Sequence, residues 1–83
     1  MNQLIVVIIT WSQKNKIYNI EIDPKTMVSD LQKELAEMFE NIIPEQITLN
    51  YAGEILQPKE TLEQKNIKKG AQIEMLIQRL GGF

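Results

Sequence analysis

Side chains that could perform catalysis are scarce in this sequence. Its 83 residues include 9 Lys and Arg and 11 Asp and Glu, but no His and no Cys. Without His or Cys, a Ser-His or Cys-His nucleophilic pair cannot form, and a zinc site would need oxygen ligands alone, which is rare. We therefore expect no catalytic residue, no metal and no cofactor, and the composition argues against an enzyme.

The charged and apolar clusters do not indicate nucleic acid or membrane binding. Lys65, Lys68 and Lys69 form a small basic cluster, but the net charge is -2 and no stacking aromatics accompany them. The apolar run from Leu4 to Ile9 is too short to span a bilayer. We expect neither partner, and the absence of Cys fits a cytoplasmic location.

The remaining segment with possible chemistry is the C-terminal Leu80-Gly81-Gly82-Phe83. Glycine suits a flexible, extended arm. A Gly-Gly pair alone is weak evidence for function and more often marks a frayed terminus, so its meaning depends on the domain that precedes it.

The first half of that domain predicts a hairpin followed by a helix. Residues 3–11 are rich in β-branched and aromatic types, and residues 16–22 alternate between apolar and polar. Between about 27 and 40, Val28, Leu31 and Leu35 recur at helical spacing, with Thr26 as the expected N-cap. Trp11 and Tyr18 flank the hairpin turn, and we expect them to pack on the hairpin or the core.

The second half predicts strands at 47–51, 55–57 and 71–78, with one helical turn at 61–64 capped by Thr61. The order β-β-α-β-β favours an α+β protein of the β-grasp type, in which a mixed sheet of four to five strands packs on one helix. The periodicity alone would also permit a different small α+β sheet.

Several short motifs then resemble the ubiquitin family along nearly the whole chain. They are Tyr51-Ala52-Gly53, Thr61-Leu62, Asn66-Ile67 and the tail Arg79-Leu80-Gly81-Gly82. Their order and spacing carry the resemblance more than any single motif. It implies a ubiquitin-like domain over residues 1–79 and a flexible tail over 80–83, with Leu62 and Ile67 closing one end of the core.

The resemblance also implies a function. In ubiquitin-like modifiers the carboxylate of the last glycine, Gly82 here, is adenylated, passed to an enzyme thiol and joined to a lysine amine. The implied partners are an adenylating activating enzyme, a conjugating enzyme, a processing or deconjugating protease, and target proteins. Because Phe83 covers the Gly82 carboxylate, we expect cleavage between Gly82 and Phe83; if Phe83 stays, the protein does not conjugate.

Several positions differ from ubiquitin. Glu54 replaces its principal chain-linking lysine, whereas Lys69 matches another chain-forming lysine. Gln78, Arg79, Leu80 and Gly81 form the segment by which activating enzymes distinguish modifiers, and its altered arginine positions imply a dedicated activating enzyme.

A partner surface is predicted on the outer face of the sheet. Of the central pair in ubiquitin's apolar patch, one position holds Asn50 and the other Leu76, so ordinary ubiquitin receptors should bind poorly. The first strand is apolar on both faces, and we place Ile5, Val7 and Ile9 outward beside Leu76. The opposite register leads to the same kind of surface, and Trp11 or the N-terminus could instead cover it.

Two other functions fit the same residues. A β-grasp sulfur carrier would convert Gly82 to a thiocarboxylate, and a non-conjugated ubiquitin-like module would only bind partners. The Thr61-Leu62 and Asn66-Ile67 motifs favour a ubiquitin-like protein over a sulfur carrier.

Overall fold

The computed structural model describes residues 3–78. The strands and the helix are β1 (Ile5–Trp11), β2 (Lys16–Ile22), α1 (Val28–Glu37), β3 (Ile47–Tyr51), β4 (Glu54–Ile55) and β5 (Gln72–Ile77). Short 3-10 turns lie at Ser12–Lys14 and Pro44–Gln46. The sheet order is β2-β1-β5-β3-β4, with β1 and β5 parallel and the other pairs antiparallel. This is the predicted β-grasp fold, with five strands.

The direction of the β1 side chains differs from the prediction. Val7 and Ile9 are 0% exposed, and Ile5 is partly buried against the core, so placing these three residues on the outer face was wrong. Ile5 pairs with Ile22 and Val7 pairs with Ile20, which brings the apolar residues of both strands to the inner face. Because β1 is apolar on both faces, its own pattern could not decide the register.

One apolar core lies between the sheet and α1. Its buried members are Val7, Ile9, Ile22, Val28, Leu31, Leu35, Ala36, Ile47, Leu49, Leu56, Leu62, Ile67, Ile73 and Met75. Leu62 and Ile67 lie outside the strands and the helix yet are almost fully buried. Their predicted place in the core is therefore confirmed.

The start of α1 is capped by another part of the chain. Thr26 was predicted as the N-cap, but the N-cap is Met27 and makes no side-chain cap bond. The N–H groups of the first two helical residues instead donate to the carbonyls of Glu60 and Pro58, at 2.7 and 3.0 Å. A loop distant in sequence thus satisfies donors that a helix cannot pair internally.

An aromatic cluster closes the end of the core near the first hairpin. The ring of Phe39 lies edge-on to Trp11 and to Tyr18, with centroid separations of 5.0 and 5.6 Å. Such edge-to-face pairs stabilise by about 0.5–1.5 kcal/mol each beyond area burial. The packing role predicted for Trp11 and Tyr18 is confirmed.

The turn between β3 and β4 requires unusual backbone angles. Ala52 and Gly53 have φ values of 53° and 84°, and Tyr51 pairs directly with Glu54 across the turn. Two positive φ values in a two-residue loop match the right-handed twist of a hairpin. This explains the glycine at position 53, whereas Ala52 adopts a positive φ in spite of its Cβ.

Candidate functional site

The N-terminal half of β1 exposes apolar side chains on the outer face. Leu4 is 56% exposed, Val6 is 40% exposed and Ile8 is half-buried; we call these three residues the outer apolar patch. Ile8 pairs with Gln72, so Leu76 lies about 13 Å farther along β5 at the usual strand rise. The prediction that the β1 apolar residues lie beside Leu76 was therefore wrong in position as well as in register.

Leu76 instead belongs to a second region of the outer face. It pairs with Thr48, and Asn50 pairs with Glu74; we call these four residues the β3–β5 face. All four are partly buried. Asn50, which holds one position of the central pair in ubiquitin's apolar patch, is thus a direct cross-strand neighbour of Glu74, and the region is more polar than an apolar binding patch.

Gln46 connects the end of β5 to the turn before β3. Gln78 donates its backbone N–H to the Gln46 carbonyl at 2.8 Å, and Gln46 Nε2 donates to the Gln78 carbonyl at 3.0 Å. The other side-chain atom, Gln46 Oε1, accepts the Ile43 N–H at 3.0 Å. Gln46 therefore binds Gln78 in both directions while capping its own turn.

A second glutamine binds the same strand end from the first hairpin. Gln13 Oε1 accepts the N–H of Ile77 at 3.0 Å and the indole N–H of Trp11 at 3.2 Å. We call Gln13 and Gln46 the glutamine clamp. Sequence reasoning missed both residues, because a glutamine in a loop has no periodicity that reveals its partner. The nearest signal was the Pro44-Glu45-Gln46 segment, which resembles the ubiquitin family.

Most of the predicted tail lies outside the described residues. Of the predicted recognition segment, Gln78 is described, whereas Arg79, Leu80 and Gly81 are not. Gly82 and Phe83, the predicted conjugation and processing positions, also lie outside this range.

The lysines have different surroundings. Lys65 Nζ lies 3.3 Å from Glu54 Oε1 and 3.5 Å from Glu60 Oε2. The hydrogen bond and charge of Glu54, with a further contribution from Glu60, raise the pKa of Lys65 above its ordinary value. Lys69, which matches a chain-forming lysine of ubiquitin but is equally typical of a solvated surface lysine, is exposed.

This difference predicts the order in which the two amines react. At mildly alkaline pH, a limiting amount of amine-reactive ester should label Lys65 more slowly than the exposed Lys69, because only the unprotonated amine reacts and the two carboxylates favour the protonated form of Lys65. Peptide mass spectrometry measures both rates in one sample. Replacing Glu54 with Gln should speed labelling of Lys65 and leave Lys69 unchanged. Equal rates in the unmodified chain would contradict the prediction.

Within residues 3–78 we find no group of three or more Asp and Glu side chains placed to hold a metal ion. No helix in that range is long and apolar enough to cross a membrane.

A mixed five-stranded sheet that packs on one helix is the ubiquitin-like β-grasp fold. The ubiquitin family model matches residues 6–80. The chain therefore belongs to the ubiquitin family, whose members are generally non-enzymatic modifiers or binding modules.

Two solved structures show the same fold. The N-terminal ubiquitin-like domain of the 4931431F19Rik protein has a TM-score of 0.86 at 17% identity, covering 100% of this chain and 83% of that one. Ubiquitin of Caldiarchaeum subterraneum has a TM-score of 0.84 at 21% identity, covering 96% of this chain and 100% of that one. No curated protein sequence matches the chain significantly.

Proposed function

We propose that this chain is the precursor of a ubiquitin-like modifier, which is cleaved after Gly82 and joined through the Gly82 carboxylate to lysine amines of target proteins. One observation carries the proposal: in a member of the ubiquitin family, the sequence Arg79-Leu80-Gly81-Gly82 follows directly on the residue where the clamp holds the chain, Gln78. On this proposal, residues 1–79 form the domain and 80–83 the flexible tail.

The proposed chemistry takes place on the backbone of Gly82. A protease hydrolyses the Gly82–Phe83 bond with one water, which leaves a free carboxylate on Gly82 and releases the part of the chain that begins with Phe83. The new carboxylate attacks the α-phosphate of ATP and displaces pyrophosphate. A thiolate of the activating enzyme then displaces AMP, and after transfer to a conjugating enzyme, a lysine amine displaces the thiol. Other proteins supply the thiol and amine nucleophiles of these steps, so the chain needs no His or Cys of its own. The absence of Cys also fits a reducing compartment such as the cytoplasm.

Mass spectrometry of the protein in its source cells tests this proposal. Trypsin cuts after Arg79, so a conjugate leaves Leu-Gly-Gly attached to the acceptor lysine. We expect this remnant on lysines of other proteins, and a remnant on Lys69 would show polymers. Two outcomes would overturn the proposal: Phe83 retained on all molecules, as a binding module requires, or sulfur in place of oxygen at Gly82, as a sulfur carrier requires.

The β3–β5 face offers a gain-of-function test of partner selectivity. Replacing Asn50 with Leu should strengthen binding to a domain that recognises the apolar patch of ubiquitin, by about tenfold. The reason is that burying one leucine contributes about 1.5–3 kcal/mol. Calorimetric titration measures the affinity.

Asn19→Leu is the matched control, because Asn19 pairs with Ile8 on the same outer face but away from the β3–β5 face. If both variants bind the receptor domain equally, the β3–β5 face does not correspond to the receptor-binding patch of ubiquitin.

A further inference from the structure

We propose that Gln46 is a positioning residue for the reactions at Gly82: its carboxamide fixes the point at which the tail leaves the domain. The inference rests on the proposed function. It concerns a residue in the turn between α1 and β3, 32 positions before Gln78, for which the sequence suggested no role.

The side-chain donor, the side-chain acceptor and the backbone carbonyl of Gln46 each have a hydrogen-bond partner. The side chain uses its donor on the Gln78 carbonyl at 3.0 Å and its acceptor on the Ile43 N–H at 3.0 Å. The backbone carbonyl of Gln46 accepts the Gln78 N–H at 2.8 Å. At neutral pH no other common side chain of this length offers both a donor and an acceptor in this arrangement.

The position of Gln78 shows what these bonds accomplish. Strand β5 ends at Ile77, and Gln78 is exposed, so apolar burial contributes little to holding it. Strand ends held only by exposed hydrogen bonds open at small free-energy cost. The bonds from Gln46 keep the first residue beyond the strand attached to the domain.

The length of the tail explains why this attachment affects the chemistry. Between Gln78 and the reactive carbonyl of Gly82 lie residues 79–81, so the carbonyl lies at most about 14 Å from the clamp. Each residue released from the strand end adds about 3.5 Å of free reach and more conformations to restrict. For an enzyme bound to the domain, the effective concentration of the Gly82 carbonyl at the enzyme's active site would then be lower.

Gln46→Glu removes the side-chain bond to Gln78 while keeping the bond to Ile43 within the turn. The glutamate keeps an acceptor for the Ile43 N–H but loses the donor to Gln78, and its charge faces a carbonyl oxygen. Gln72→Glu is the matched control: it introduces the same charge at an exposed position at the start of the same strand.

Two measurements on the purified full chain report the clamp itself. Proteases bind their substrates in extended form, so tryptic cleavage at Arg79 requires the preceding residues to leave the sheet. We expect Gln46→Glu to be cleaved about three- to tenfold faster, with Gln72→Glu unchanged. Hydrogen exchange at the Gln78 amide should accelerate similarly in Gln46→Glu. Its protection should return below about pH 4, where a protonated carboxyl regains a donor. If cleavage and exchange are unchanged in Gln46→Glu, the Gln46 carboxamide does not hold Gln78 to the domain.

Conjugation measures the positioning role. In an ATP-supplied extract of the source cells, we expect the Gln46→Glu chain to form adducts about three- to tenfold more slowly than the unmodified chain, with Gln72→Glu equal to it. Full conjugation by a Gln46→Glu chain whose tail is shown to be loosened would overturn the positioning role. If the unmodified chain forms no adducts, the proposed function and the positioning role both fail, whereas the cleavage and exchange results still decide whether the clamp exists.

Discussion

A chain that stops at Gly81 should form no conjugates at all, whereas a chain that stops at Gly82 should conjugate without prior proteolysis. The physical reason is that the proposed chemistry needs a free carboxylate at one position. Ending the chain at Gly81 moves that carboxylate about 3.5 Å closer to the domain. A misplacement of even 1 Å at a reacting group can reduce a rate about a hundredfold.

Expression of both truncated chains in the source cells, each with the same N-terminal tag, provides the measurement. For the chain that ends at Gly82 we expect slower-migrating adducts on a denaturing gel. For the chain that ends at Gly81 we expect none. The full-length chain should produce the same adducts after a delay for removal of Phe83. Adducts that persist in the chain ending at Gly81 would show that the attachment point is not Gly82.

The second large effect concerns the register of β1. Replacing Val7 with Lys should unfold the domain, and the same change at Val6 should be tolerated. Val7 is 0% exposed, and a fully buried lysine can have its pKa lowered by 3–5 units, equivalent to about 4–7 kcal/mol. A domain of this size has a free energy of unfolding of only about 4–12 kcal/mol.

The neighbouring position makes this a matched comparison. Val6 faces outward and pairs with Glu21 on β2, so a lysine there gains an opposite charge across the strands, and we expect a loss of no more than about 1 kcal/mol. Urea unfolding followed by circular dichroism measures both variants. If Val6→Lys unfolds the domain and Val7→Lys does not, then Val6 rather than Val7 faces the core.

Much of the fold could be predicted because its signals are local. The alternation in β2 and β5, the helical stripe of α1 and the breaks at the turns depend on neighbouring residues alone. The Thr61 cap is an example: Gln64 donates its N–H to Thr61 Oγ1 at 3.1 Å, and Thr61 donates its N–H to Gln64 Oε1 at 2.9 Å. The two residue types and their spacing are sufficient to predict such a reciprocal capping box.

The candidate site was less predictable because it depends on contacts between distant segments. The residues Asn50 and Leu76 were correctly assigned to the outer face, but Ile5, Val7 and Ile9 were not. In the same way, the donors at the start of α1 are satisfied by the carbonyls of Pro58 and Glu60 rather than by Thr26. In β1 the apolar pattern allowed either register, and at the start of α1 a distant loop supplied the carbonyls that a local cap was expected to replace.

By itself, the sequence determined which nucleophilic couples this protein lacks and at which atom we propose its chemistry. A chain without His or Cys has no Ser-His or Cys-His pair, and the motif order carries the proposal that the Gly82 carbonyl carbon is the reactive centre. Only the tertiary structure decided which face of β1 is exposed and that Gln13 and Gln46 hold the strand leading to that carbon. The reason is that residue types and short spacings are properties of the chain alone, whereas register and long-range hydrogen bonds exist only once the segments have packed together.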